Sequence, residues 1–165
     1  MIEKGKISMK CCFTGHRYFP WSSDLESSEY QVLIERLDRA IDQVLAKAAI
    51  HFICGNAIGV DTWAAERVLQ RKANNPEIFL EIALPFSDHN RHEPGCLNIQ
   101  SKADLVHVVS TKKSRIAAFC ERDTYMVDQS NILIAVYDKN RSHSGTAKTV
   151  AYARKQGLEI IEIQP

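Results

Sequence analysis

The sequence predicts an α/β fold, a Rossmann-like, doubly wound and mainly parallel sheet of about six strands with helices on both faces. Three observations predict it. Short apolar runs alternate with longer amphipathic stretches along the whole chain. The runs are continuously apolar rather than alternating, as expected of strands covered on both faces. The stretches between them carry apolar residues at helical spacing, so strand–helix–strand units repeat with right-handed crossovers.

The strands are expected at residues 10–14, 50–54, 78–84, 105–109, 132–137 and 158–163. Between the first two, residues 27–48 place Leu33, Ile34, Leu37, Ile41, Val44, Leu45 and Ala48 on one helical stripe. Residues 60–72, 115–129 and 146–156 also read as helices. Over 88–103 no single helix is expected, because Pro94-Gly95 interrupts it. Gly157 follows the last helix, where a C-terminal cap belongs. No repeat, low-complexity stretch or linker divides the chain, and residues 1–165 read as one domain.

Composition narrows the function. Of 165 residues, 45% are hydrophobic and 25% charged, which excludes a disordered chain. No apolar run approaches the ~20 residues of a membrane span, and the start, Met1-Ile2-Glu3-Lys4-Gly5-Lys6, has no apolar leader segment. A cytoplasmic protein without a membrane partner is expected. The net charge of +1 is not the basic footprint of a dedicated duplex binder. The five cysteines are odd in number, two are adjacent and no C-x-x-C occurs. Buried thiols fit better than disulfides or a thiolate zinc site. His89, His92, Glu93 and Cys96 are close in sequence, but Pro94-Gly95 makes their segment a loop and no second cluster completes four ligands. No metal is expected.

In open α/β sheets ligands bind beyond the carboxyl ends of the strands, where strand order reverses. Three segments at such ends are rich in glycine and polar residues. Thr14-Gly15-His16-Arg17 follows the first strand: Gly15 permits close backbone approach, and Arg17 supplies a forked cationic donor. Gly55-Asn56-Ala57-Ile58-Gly59-Val60-Asp61 joins a strand to a helix whose N-terminus suits an anion. It matches neither the dinucleotide fingerprint nor the P-loop. Asp61 would repel a phosphate placed on it; it reads equally as a dipole-favoured first-turn residue or as an acceptor for a ribose hydroxyl. Ser142-His143-Ser144-Gly145-Thr146 opens the last helix, and helix capping and phosphate binding compete for its amides. Arg122 reaches such a cleft or pairs with Glu121 or Asp128. Tyr18, Phe19 and Trp21 stack on a base or form a lid on the core.

Four stretches carry a family resemblance: Cys12-Phe13-Thr14-Gly15-His16-Arg17; Gly55-x-Ala57-x-Gly59-Val60-Asp61-x-Trp63-Ala64-Ala65-Glu66; Arg122-Asp123-x-Tyr125-Met126-Val127-Asp128; and Ser144-Gly145-Thr146 with Tyr152-Ala153. In this order, over nearly the whole chain, they resemble the YpsA-like proteins of the SLOG superfamily, which also holds the Rossmann domain of DprA and the LOG phosphoribohydrolases. The resemblance implies a Rossmann-like fold that binds nucleotides or nucleotide-derived ligands. The LOG motif P-G-G-x-G-T-x-x-E carries a catalytic Glu; aligned on Gly145-Thr146, that position is Thr149. An oxocarbenium-like transition state would then need another carboxylate, with Glu66 and Glu121 as candidates. In the DprA branch the domain binds single-stranded DNA, which calls for a basic groove with aromatics; only Lys112, Lys113 and Arg115 cluster.

The leading expectation is a nucleotide-derivative-binding domain, a sensor or regulatory module, with enzymatic activity left open. Its site would comprise Thr14, Gly15, His16, Arg17, Gly55, Asn56, Gly59, Asp61, Arg122, Ser144, Gly145 and Thr146. The partner is a small phosphorylated ligand, and no cofactor is required. Hydrolysis of an N-glycosidic bond in a nucleoside monophosphate and single-strand binding are the alternatives. Catalytic residues, and self-association into a homo-oligomer, stay open.

Overall fold

The computed structural model describes residues 8–165. Residues 1–7, where no leader segment is read, lie outside the described residues. The elements run β1 (Lys10–Gly15), α1 (Ser28–Ala46), β2 (His51–Cys54), α2 (Val60–Asn74), β3 (Phe79–Leu84), α3 (Pro94–Lys102), β4 (Leu105–Val108), α4 (Arg115–Asp128), β5 (Ile132–Val136), α5 (Gly145–Lys155) and β6 (Glu159–Ile163). All six strands are parallel, in the order β4-β3-β2-β1-β5-β6. The chain steps outward from β1 to β4, then returns through α4 to the other side of β1. Strand order therefore reverses between β1 and β5, where Cys12 pairs with Leu133 and Gly15 with Val136.

Alternation along the strands builds two cores. Cys11, Phe13, Phe52, Leu80, Ile82, Ile132 and Ile134 face α1, α2 and α3. Cys12, Ile53, Ala83, Leu133 and Ala135 face α4 and α5 through Met126, Val127, Val150 and Ala153. Each fully buried Leu or Ile contributes about 1.5–3 kcal/mol, and a one-residue slip would exchange the two sets. Both faces of a strand are thus apolar, which is why these strands read as continuous runs.

Helix ends follow local chemistry. Ser27, Ser114 and Ser144 cap α1, α4 and α5, each accepting from the N–H three residues on. Gly157 takes φ +78° beyond α5, the left-handed turn a side chain disfavours. Pro94-Gly95, expected to interrupt a helix, instead opens α3. A proline in the first turn lacks an N–H that would have no partner anyway. Turns fill residues 85–93 before it, so no helix spans 88–103.

One polar cluster sits on the α4 face of the sheet. Glu81 of β3 is 2% exposed. Its carboxylate takes the Tyr125 hydroxyl of α4 at 2.6 Å and ring nitrogens of His51 and His107 at 2.7 Å each. Burial alone would raise its pKa, but the bonds from His51, Tyr125 and His107 outweigh it and bring it down to about 2. Among the described residues, no helix is long and apolar enough to cross a membrane.

Candidate functional site

A cleft of about 690 Å³ opens at the carboxyl edge of the sheet, at the β1/β5 reversal. Its walls are the end of β1 with the loop after it (residues 13–18), one face of α4 from Ile116 to Met126, and the loop and first turns of α5 (residues 141–152). Topology explains the convergence: parallel strands all end at this edge, and α4 and α5 both start there.

Each wall brings particular chemistry. On α5, Ser144 Oγ accepts from the Ala147 N–H at 3.1 Å. The Gly145 and Thr146 N–H groups, at the first two helical positions, have no partner within the helix and carry its positive end. Capping and an anion site therefore coexist, because the Ser144 side chain uses a deeper amide. Lys148 and Arg141 flank this end.

On another wall Arg17 is exposed, and its guanidinium lies 5.0 Å from the Phe119 ring centre. Arg122 lies over the same ring at 5.6 Å. This cation–π pairing holds two positive charges at one wall. Arg122 is 5% exposed. It bonds Asp123 at 2.7 Å and the Gly55 carbonyl at 2.5 Å, rather than Glu121 or Asp128.

Asp61 lines the back of the cleft, 8% exposed, and accepts from the Ala57 N–H at 3.2 Å. Burial pushes its carboxyl up to about 6, against the pull of Arg122. Asp61 thus pins the β2–α2 loop and faces the cleft as well. His16 lines the cleft but is committed inward: its Nε2 accepts from the Asp138 N–H at 3.0 Å, tying β1 to the segment after β5. Burial, and then Arg141, lower its pKa, which favours this neutral, accepting form.

The structure therefore brings Thr14, Gly15, His16, Arg17, Asp61, Arg122, Ser144, Gly145 and Thr146 to one cleft. Gly55, Asn56 and Gly59 are not on its wall. A Cβ on Gly55 would meet the Arg122 guanidinium at 2.6 Å, and one on Gly59 (φ +80°) the Arg17 carbonyl oxygen at 2.4 Å. The Val60 N–H donates to the His16 carbonyl. The start of α2 is thus packed against the β1–α1 loop instead of being open to an anion. Asn56 is 1% exposed, and neither polar atom of its side chain has a hydrogen-bond partner.

Sequence reasoning missed Phe119, Asp123, Arg141 and Tyr152 on the cleft wall. The reversal point was the available signal: it directs attention to the helix starts on both sides of β1 and β5. The two carboxylates of the cleft are Asp61 and Asp123, not Glu66 or Glu121. Glu66 is exposed on α2, and Glu121 accepts from the Thr111 N–H and pairs with Lys112. Of the three aromatics after Gly15, Phe19 and Trp21 stack at 4.7 Å over Trp63 as a lid on the core. Tyr18 is 66% exposed on the cleft. Among the described residues, no group of three or more His, Cys, Asp or Glu side chains is placed to hold a metal ion.

Comparison with known proteins agrees with this architecture. The model of the YspA SLOG family matches residues 11–165. A UPF0398 protein of Staphylococcus epidermidis is 26% identical over 120 residues, covering 69% of this chain and 62% of its own length. The SPbeta prophage-derived protein YoqJ of Bacillus subtilis is 28% identical over 145 residues, 76% of this chain and 82% of its own. A UPF0398 protein of Brevibacillus brevis is 25% identical over 119 residues, with 68% and 63% covered. The chain spans less than two thirds of the length of the UPF0398 relatives it matches. By the match over nearly its whole length, the chain belongs to the YspA SLOG family.

Proposed function

We propose that the cleft binds a nucleotide or nucleotide-derived ligand, with its phosphate on the Gly145 and Thr146 amides and near the guanidinium of Arg17. One observation carries the reading. A helix start with two unpartnered amides and a wall of paired arginines line one cavity at the strand-order reversal. An anion at a helix N-terminus is favoured by both the free N–H groups and the dipole. The volume lies within the range of small-molecule sites, roughly 300–1,000 Å³. Membership of a SLOG family supports a nucleotide-related role. A thermal-shift panel of AMP, NAD and ADP-ribose tests it. Ligand at a hundred times its dissociation constant should add about 2.7 kcal/mol of stability; no shift from any member at millimolar concentration contradicts it.

A second reading, N-glycosidic hydrolysis, is favoured by the two cleft carboxylates. Asp61, pushed up to about 6 by burial, keeps its proton to a higher pH than an ordinary carboxylate, as a general acid requires. This reading replaces the Glu66 and Glu121 candidates by Asp61 and Asp123. Free base released from nucleoside monophosphates, and its loss in Asp61→Asn, is the expected result; no release from any of them retires the reading.

A further inference from the structure

We propose that Tyr18 is the stacking platform for a planar base on the ligand, so that the cleft selects a base-bearing anion over a bare sugar phosphate. The proposal rests on the reading of the cleft as an anion site and adds to it the chemistry of the ligand's other end.

The rings around the cleft divide by what already occupies them. Phe13 is 2% exposed and stacks on Phe52 at 5.9 Å. Phe119 carries the guanidinium groups of Arg17 and Arg122, and packs with Phe86 and His89 at 5.4 and 5.5 Å. His16 sits between Phe19 and Tyr137. Tyr152 is half-buried against the α4–α5 core, and its hydroxyl donates to Asp128 at 2.6 Å. Tyr18 alone among them is exposed, and its ring has no aromatic or cationic partner among the described residues.

Its backbone, in contrast, is held. The Tyr18 carbonyl accepts from Arg141 Nη1 at 2.8 Å, and the same guanidinium lies over Phe19 at 5.3 Å. The Phe19 N–H donates to Ser22 Oγ at 2.6 Å, and the Phe19 ring is locked in the stack with Trp21. A rigid loop thus presents a ring with two side-chain torsions. Stacking on it costs little ordering, and Arg17 of the same loop supplies a positive charge to the cleft. Stacking is tolerant of base identity, because every base has a π-face.

Calorimetric titration of the whole chain tests this, with the four 5′-ribonucleoside monophosphates and ribose 5-phosphate as probes and with Tyr18→Ala and Tyr18→Phe as variants. The exposed position keeps both variants folded, and a thermal melt checks it. Tyr18→Ala is expected to weaken the best-bound monophosphate about tenfold while Tyr18→Phe stays within about twofold of the wild type. Ribose 5-phosphate should bind all three proteins alike. Unchanged monophosphate affinity in Tyr18→Ala overturns the platform and leaves the anion site standing. An equal loss for ribose 5-phosphate also overturns it, since the ring would then act through the loop. If the wild type binds none of the probes, the anion site itself falls, and the platform with it.

Discussion

The Arg122 guanidinium donates to the carbonyl oxygen of Gly55 and fills the space that a side chain at residue 55 would need. Residues 67 apart in sequence are thereby fitted to each other, and the cleft wall takes its shape from the absence of a methyl group. Gly55→Ala should displace Arg122 and cost about 1–3 kcal/mol, as overpacking of a buried site does. Gly95→Ala is the control: its nearest neighbour would be the Thr62 methyl at 3.8 Å, within a helix. It should stabilise by up to about 1 kcal/mol. Urea denaturation of both variants checks the pair, and equal effects would contradict the fit.

Asp61 and Glu81 are buried carboxylates with opposite pH behaviour. Asp61 is pushed up to about 6 by burial. Its folded pKa lies above its unfolded value, so the ionised form is disfavoured in the fold and its contribution improves as pH falls through 6. An anionic ligand should bind more tightly over the same interval, by at most tenfold per pH unit for one proton, roughly. Asp61→Asn keeps an oxygen for the Ala57 N–H and should remove the pH dependence. Titrations of ADP-ribose, whose diphosphate does not itself titrate between about pH 5 and pH 8, would contradict this if the slope survived in the variant.

Glu81 is brought down to about 2, below its unfolded value of 4.5. Its stabilisation is fully present above pH 4.5 and is lost as pH falls toward 2. The shift corresponds to roughly 3 kcal/mol at neutral pH. Wild-type stability should drop steeply below pH 4.5, approximately, while Glu81→Gln is already destabilised at neutral pH and falls less. Denaturation midpoints measured down the pH scale decide it; parallel curves would show that the His51–Glu81–His107 cluster does not govern acid sensitivity.

Cys120 is exposed and lines the cleft, whereas Cys11, Cys12, Cys54 and Cys96 are buried. Burial also raises the pKa of those four thiols, Cys12 to about 12. A disulfide-exchange reagent should modify one thiol rapidly in the native protein and the rest only on unfolding. A bound nucleotide should slow the fast reaction. Several fast thiols, or a rate indifferent to every nucleotide that shifts the melting temperature, would contradict the placement.

The fold was largely legible because a doubly covered parallel sheet writes itself as apolar runs. All six expected strands form, with no end moved by more than one residue. The α1 stripe lies buried through Leu33, Ile34, Leu37, Ile41 and Val44. Pro94 marked the break within 88–103 but not the helix that begins there, because the same residue stops a helix from inside and starts one from its first turn. At the site, glycine was an ambiguous signal. Gly145 stands at an open helix start with nothing within 4 Å of a would-be Cβ, whereas Gly55 and Gly59 make room for Arg122 and the Arg17 backbone. Close approach to a ligand and close approach to one's own chain leave the same letter. Arg141 and Phe119 were not legible, because their roles arise only when α4 and the segment before α5 flank the strand-order reversal.

A crystal structure with the nucleotide that gives the largest thermal shift tests the central claim most directly. The account predicts its phosphate within hydrogen-bonding distance of the Gly145 and Thr146 amides, beside Arg17, between α4 and α5. A nucleotide bound on the α1–α3 side of the sheet, or with its phosphate remote from the start of α5, would contradict it.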